Sequence, residues 1–291
     1  MESTSRPIIT IMMTTMTMLT EPFMQRAFLA ALFLAPLCAG LGVFVIARRM
    51  AFFSDTVSHA ALAGVALGFW LGFRNPTLPL VLVSSLIALA VYWLKENTDL
   101  LTDTIMALLL SGSVAVGVIL LSVLKGYQGE IQRYLFGDIL AIGWQEVWLS
   151  ALLFFVIAIG LVLFLNGLSL ITLHEEMAHV CGVPVRALNY GFVIVLTLAV
   201  TLTIRLLGII LVTALLVIPP AAARSLSHSL RQQIILSIAF GVVAGLGGIA
   251  LSYVLDVPPG PVIVLTSIAI FAGCLAAGKM MRARLVGPAS V

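Results

Sequence analysis

The chain is 291 residues long, 62% hydrophobic and 9% charged, with a formal net charge of +3 and a mean hydropathy of +1.19. Soluble domains carry roughly 25% charged and 45–50% apolar residues, so an ordinary water-soluble core is excluded. The apolar runs are long and nearly uninterrupted, unlike the polar–apolar alternation of barrel strands, so helices are the expected spanning elements.

Residues 1–20 are rich in Met and Thr, with Arg6 ahead of an apolar stretch. No small-x-small cleavage site follows, so residues 1–22 read as an extension rather than a signal peptide. About 20 apolar residues cross a bilayer. Candidate spans lie at 23–47, 52–73, 78–94, 103–124, 147–166, 188–204, 206–222, 234–255 and 262–278. The sixth and seventh are short and meet at Arg205, so one span plus a re-entrant piece is the alternative. The sequence therefore predicts an all-α, polytopic membrane protein of eight or nine transmembrane helices. It forms one membrane domain over 23–279, followed by a tail at 280–291.

The basic residues set an orientation. With Arg48 and Arg49 in the cytoplasm, Lys95, Arg186, Arg224, Arg231, Lys279, Arg282 and Arg284 also fall inside, nine of the 15 basic residues. That excess has the sign of the positive-inside rule and puts the N-terminus outside and the C-terminus inside. The same span-end placement speaks against nucleic-acid binding. Cys38, Cys181 and Cys274 are scattered, so neither a disulfide framework nor a cysteine metal site is indicated.

Two connections are long. Residues 125–146 lie outside and contain Tyr134-Leu135-Phe136-Gly137-Asp138. Residues 169–187 lie inside and contain His174-Glu175-Glu176-Met177-Ala178-His179, read as a short amphipathic helix ending at Gly182, with Pro184 beyond.

Asp55 and His59 stand at i and i+4 in the second span, on one helix face and about 6 Å apart along its axis. Ionisable groups inside a span are costly and usually face a pathway. A carboxylate with an imidazole suits a divalent cation such as Zn²⁺ or Mn²⁺. An Asp–His hydrogen bond that locks packing, or an Asp at the start of the span, fits the same spacing. Ala60, Gly64, Gly68 and Gly72 form a small-residue stripe on which another helix can lie closely, and Gly241 and Gly245 read the same way. Asp103 reads as an N-cap. Asp256 reads as a cap of the last span or part of a cation entrance. Glu130 and Asp138 are outer acidic residues whose simplest role is solvation.

Two enzyme motifs fail. The stretch from His174 to His179 begins like HExxH, but Ala178 holds the i+4 place and His179 is rotated about 140° away. Gly273-Cys274-Leu275-Ala276-Ala277-Gly278-Lys279-Met280 begins like a P-loop, but Met280 replaces the Ser or Thr that holds Mg²⁺. The chain is thus expected not to be an enzyme and not to bind ATP itself.

Four stretches resemble the permeases of metal-uptake ABC transporters, the zinc and manganese family. Arg48-Arg49-Met50-Ala51-Phe52-Phe53-Ser54-Asp55-Thr56-Val57-Ser58-His59-Ala60 is similar to that family's RRM…(G/S)DxxxHA pattern. Tyr134 to Leu140 resembles its YLFGD(I/L)L segment. Leu215 to Arg224 resembles LLxxPAAxAR, and Pro258-Pro259-Gly260-Pro261 resembles the (T/V)PxGP turn. The four occur in the family's order, from about residue 37 to residue 278.

The resemblance implies a homodimeric permease in the cell membrane, served by a separate ATPase and by an extracytoplasmic metal-binding protein. It implies a cytoplasmic coupling helix with Glu175, Glu176, Ala178 and Gly182 against the ATPase. Asp55 and His59 would hold the transported ion transiently, and Zn²⁺ or Mn²⁺ would be substrate, with no resident cofactor. The pattern leans to zinc, with manganese or iron in the same class. A free imidazole titrates near pH 6.5 and its charged form cannot ligate, so uptake is expected to fall in acid. A proton-coupled secondary transporter is the competing reading, but it would not need the amphipathic inner loop. An intramembrane metalloprotease ranks last.

Overall fold

The computed structural model describes residues 21–123, 137 and 139–285. Among these it contains nine long α-helices, one short helix and a single 3₁₀ turn at Ile139–Ala141. In chain order the helices are α1 (Pro22–Ala47), α2 (Phe53–Trp70), α3 (Thr77–Asn97), α4 (Thr102–Val123), α5 (Trp144–Leu173), α6 (Glu175–Val180), α7 (Val185–Leu207), α8 (Ile209–Leu226), α9 (Leu230–Leu255) and α10 (Pro259–Leu285). Eight are long and apolar enough to cross a membrane. The ninth long helix, α2, falls outside that set because Ser54, Asp55, Ser58 and His59 lower its hydropathy.

Each predicted span corresponds to a helix, and the differences are local. The chain breaks between α7 and α8 at Gly208, whose φ of 80° and ψ of 163° no helix accommodates. Arg205, expected at the junction, belongs to the last turn of α7, is exposed, and donates to the Thr77 hydroxyl at 3.3 Å. Asp103 is not an N-cap but lies within the first turn of α4, where its charge complements the helix dipole. Asp256 caps the C-terminus of α9 in the left-handed region at φ 54°, rather than the start of α10. The last helix runs on to Leu285, past the expected boundary at 279. The failed P-loop stretch is continuous helix within α10.

Two groups of helices make the bundle. In one, α1 is central and packs on α5, α8 and α9, with α10 closing over α8 and α9. Apolar on every side, α1 is buried along most of its length, as a helix with no polar face should be. Its Ala35 and Ala39 receive Gly241 and Gly245 of α9: a Cβ on Gly241 would come within 2.7 Å of the Ala39 Cβ. Gly42 of α1 lies directly against the Leu216 carbonyl of α8, leaving no room for a Cβ. Pro219 and Pro220 stand inside α8, so the Leu215 and Leu216 carbonyls lack their i+4 donors. In the second group, α2 packs between α3 and α4, with α7 alongside. The stripe on α2 works as expected at Gly64 and Gly68, which meet the first turn of α3. Gly72 lies past the helix end, in a turn at φ 82°.

Many hydroxyls inside the spans bond back to their own helix. Ser84, Ser113, Ser150, Thr197 and Ser267 each donate to the carbonyl four residues earlier, which satisfies them where water is absent.

Candidate functional site: an acidic–imidazole pair and the helix ends behind it

The helix that carries the predicted pair starts abruptly. Arg48 caps α1, Arg49 takes φ 57°, and the Met50 N–H returns to the Val45 carbonyl at 2.9 Å. The Phe53 N–H then bonds the Met50 carbonyl at 3.0 Å, and α2 begins. Thr56 pins this first turn by donating to the Phe52 carbonyl at 2.9 Å and to the Met106 carbonyl of α4 at 3.2 Å.

Asp55 falls in the first turn of α2, where backbone N–H groups favour a negative charge. His59 follows one turn on. Both are half-buried, and the two interact electrostatically. Neither side chain makes a hydrogen bond or salt bridge with another described residue. The i and i+4 placement thus leaves a carboxylate and an imidazole on one face, with their donor atoms free for a cation. No group of three or more His, Cys, Asp or Glu residues comes together among the described residues. Ser54 and Ser58 precede the two ligands in sequence, and both are fully buried. Their hydroxyls have no hydrogen-bond partner among the described residues, as also holds for Thr203 of α7. Sequence reasoning passed over them because a serine in a helix normally satisfies itself.

At the same end of the bundle, α5 and α7 flank α6. The expected short helix is present: it runs from Glu175 to Val180, with Gly182 at φ 74° just beyond. Glu175, Glu176 and Gly182 are exposed. Ala178 is fully buried against Ile171 and Val185. It is the foot by which α6 stands on α5 and α7.

Behind α6 lies a polar cluster of which the sequence motifs contained only Arg48. The Arg48 guanidinium donates to Thr172 Oγ1 at 3.1 Å and to Asn189 Oδ1 at 2.9 Å. It lies 4.6 Å from the centroid of the Phe192 ring. Asn189 Nδ2 donates onward to the Tyr92 hydroxyl at 2.7 Å. The Tyr190 hydroxyl donates to Glu96 at 2.9 Å, and Arg186 stands 3.7 Å from Glu96. Burial lowers the pKa of the Arg48 guanidinium, while Tyr92 and Glu175 pull it back up.

At the opposite end two of the recognised stretches meet. Gly137, at φ 68°, lies flush against Leu207 and Gly208, where the chain breaks. Gly137 and Ile139 line a cavity of about 480 Å³ with Leu207, Leu211 and the Pro258–Pro261 turn. Asp256 borders a neighbouring cavity of about 630 Å³ with Tyr253 and Ser252. Tyr134, Leu135, Phe136, Asp138 and Glu130 lie outside the described residues.

Comparison with known proteins bears on this arrangement. The chain is 32% identical over 245 residues to the high-affinity zinc uptake system membrane protein ZnuB of Haemophilus influenzae, covering 84% of this chain and 94% of that protein. It is 30% identical over 255 residues to the manganese transport system membrane protein MntC of Halalkalibacterium halodurans, covering 88% and 87%. The solved structure of PsaBC from Streptococcus pneumoniae in complex with Fab superposes with a TM-score of 0.79 at 30% identity, covering 91% of this chain and 95% of that one. The model of the ABC 3 transport family matches residues 20–278, and with nearly the whole chain inside that match, the protein belongs to the ABC 3 transport family.

Proposed function

We propose that the chain is the permease subunit of an ABC importer that carries a divalent transition-metal ion across the cytoplasmic membrane, with Zn²⁺ as its cargo and Mn²⁺ or Fe²⁺ as neighbouring candidates. The observation that carries the proposal is the Asp55–His59 pair. It is half-buried and unengaged by any other described side chain, within a chain of the ABC 3 transport family.

The physical task is to move a doubly charged ion through roughly 30 Å of hydrocarbon. Asp55 offsets part of the charge and His59 offers a nitrogen lone pair. Together they suit a borderline cation better than a hard one. Two ligands hold weakly, which transport requires, since an ion bound by a full cage would not leave. In a homodimer the second copy would bring its own pair to the path, completing four ligands only while the ion passes. The energy would come from a separate ATPase seated on Glu175, Glu176 and the Gly182 turn, and the ion from an extracytoplasmic binding protein. The relatives named for zinc and for manganese support the class of cargo, and the nitrogen ligand is the reason for naming zinc first.

The decisive experiment is uptake of radiolabelled Zn²⁺ and Mn²⁺ into proteoliposomes holding the chain with its ATPase and binding protein. ATP-dependent uptake that collapses in Asp55→Ala, with ATP hydrolysis retained, is the expected result. Uptake that persists in the variant would move the ion path elsewhere, and no ATP-dependent uptake of either ion would overturn the reading.

A further inference from the structure

We infer that Arg48 is the positioning residue that passes movement of α6 to the helix carrying Asp55 and His59. The inference rests on the importer reading and adds to it a route between the two ends of the machine.

Three features of the structure support it. First, Arg48 is bonded to both helices that hold α6. Thr172 is in the last turn of α5, just before α6, and Asn189 is in the early turns of α7, just after it. Any tilt of α6 that shifts these helix ends must move the guanidinium, because its planar fork fixes direction as well as distance. The ring of Phe192 beneath it removes the remaining freedom.

Second, the stretch from Arg48 to α2 is short and internally bonded. The Met50–Val45 and Phe53–Met50 hydrogen bonds, the left-handed Arg49 and the buried Met50 side chain make it stiff. A displacement at Arg48 is therefore delivered to the first turn of α2, where Asp55 sits, rather than absorbed in a loop.

Third, the cluster is incomplete. The Arg48 Nη2 atom is buried and has no partner among the described residues, and a buried unpaired donor is costly. Glu175, the first residue of α6, interacts electrostatically with this guanidinium. A shift of α6 that brought the Glu175 carboxylate onto Nη2 would satisfy it. On this inference the cluster has two arrangements, the one the structure shows, with Nη2 unpaired, and a second in which it would be paired to Glu175. ATPase docking on α6 would choose between them.

The test compares wild type with Arg48→Gln, Arg48→Lys and Asn189→Ala in proteoliposomes with the ATPase and binding protein. The readout is ions taken up per ATP hydrolysed. Arg48→Gln is expected to lower that ratio about tenfold, within the usual range of coupling between sites, with ATP turnover retained. Arg48→Lys should not rescue it, because an ammonium lacks the fork. Asn189→Ala, which leaves the Thr172 bond and the Phe192 contact in place, should lower it less. If Arg48→Gln does not assemble, Asn189→Ala carries the test. An unchanged ratio, or a parallel fall of uptake and ATP turnover at constant ratio, would overturn the coupling role. Wild-type transporter without ATP-driven uptake would instead overturn the importer reading, and the coupling role with it.

Discussion

Gly64 of α2 lies against the Pro79 carbonyl of α3, so close that a Cβ at position 64 would stand 2.8 Å from that oxygen and 2.9 Å from the Leu80 Cα. Both neighbours are backbone and cannot rotate away. Gly64→Ala must therefore separate α2 from α3, at a cost of about 1–3 kcal/mol typical of overpacking. Thermal stability in detergent should fall. Uptake should fall with it, because α2 carries the candidate ion pair. Gly160→Ala is the control: nothing lies within 4 Å of a Cβ there, and the helix should gain about 0.5–1 kcal/mol.

Ser237 of α9 donates to the Ala39 carbonyl of α1 at 2.7 Å, a buried bond between two helices of the central group. Interhelical hydrogen bonds in membranes average about 0.6 kcal/mol. Ser237→Ala should lower the melting temperature slightly and leave uptake unchanged. A large loss of either would mean that this bond does more than hold α1 to α9.

Asp55→Asn and His59→Ala should each reduce uptake at least about tenfold, since loss of even an outer-shell partner of a metal ligand commonly costs that much. The double variant should lose little more than the worse single variant, because on the proposed reading both side chains serve one ion. Wild-type uptake should decline on acidification, since a protonated imidazole cannot bind a cation. His59→Ala should flatten that decline. Measuring initial rates across a pH series separates this effect from simple loss of protein.

The three cysteines report topology. Cys181 is exposed beside α6, whereas Cys38 and Cys274 are buried. A membrane-impermeant maleimide should leave intact cells unlabelled and should label Cys181 in inside-out vesicles. Cys181→Ser should abolish the signal. Labelling from outside the cell would reverse the orientation inferred from the basic residues.

Much of the fold was legible because hydropathy marks most spans, and each expected span corresponds to a helix, although α2 is less apolar than the rest. The ends were less legible, because they depend on backbone geometry that hydropathy does not report. The break between α7 and α8 sits at Gly208, which can take φ 80°, and not at the charged Arg205. Asp256 closes α9 because its backbone turns left-handed there. The Asp55–His59 pair was legible because charge inside a span is conspicuous. The Arg48 cluster was not: its partners Thr172 and Asn189 lie 124 and 141 residues away in sequence. Each is an ordinary polar residue until the helices bring it to the guanidinium. The burial of Ala178 was not legible, because a short amphipathic helix shows which residue types it carries but not which of them faces inward.

The two prolines of α8 leave that helix short of two successive rungs in its hydrogen-bond ladder. A rod with missing rungs bends more cheaply than its neighbours. Gly42 brings the backbone of α1 directly against the softened stretch, as a fulcrum beneath a leaf spring. Flexure of the bundle therefore costs least in the middle of α8, where two rungs are missing against the single one that Pro36 removes from α1.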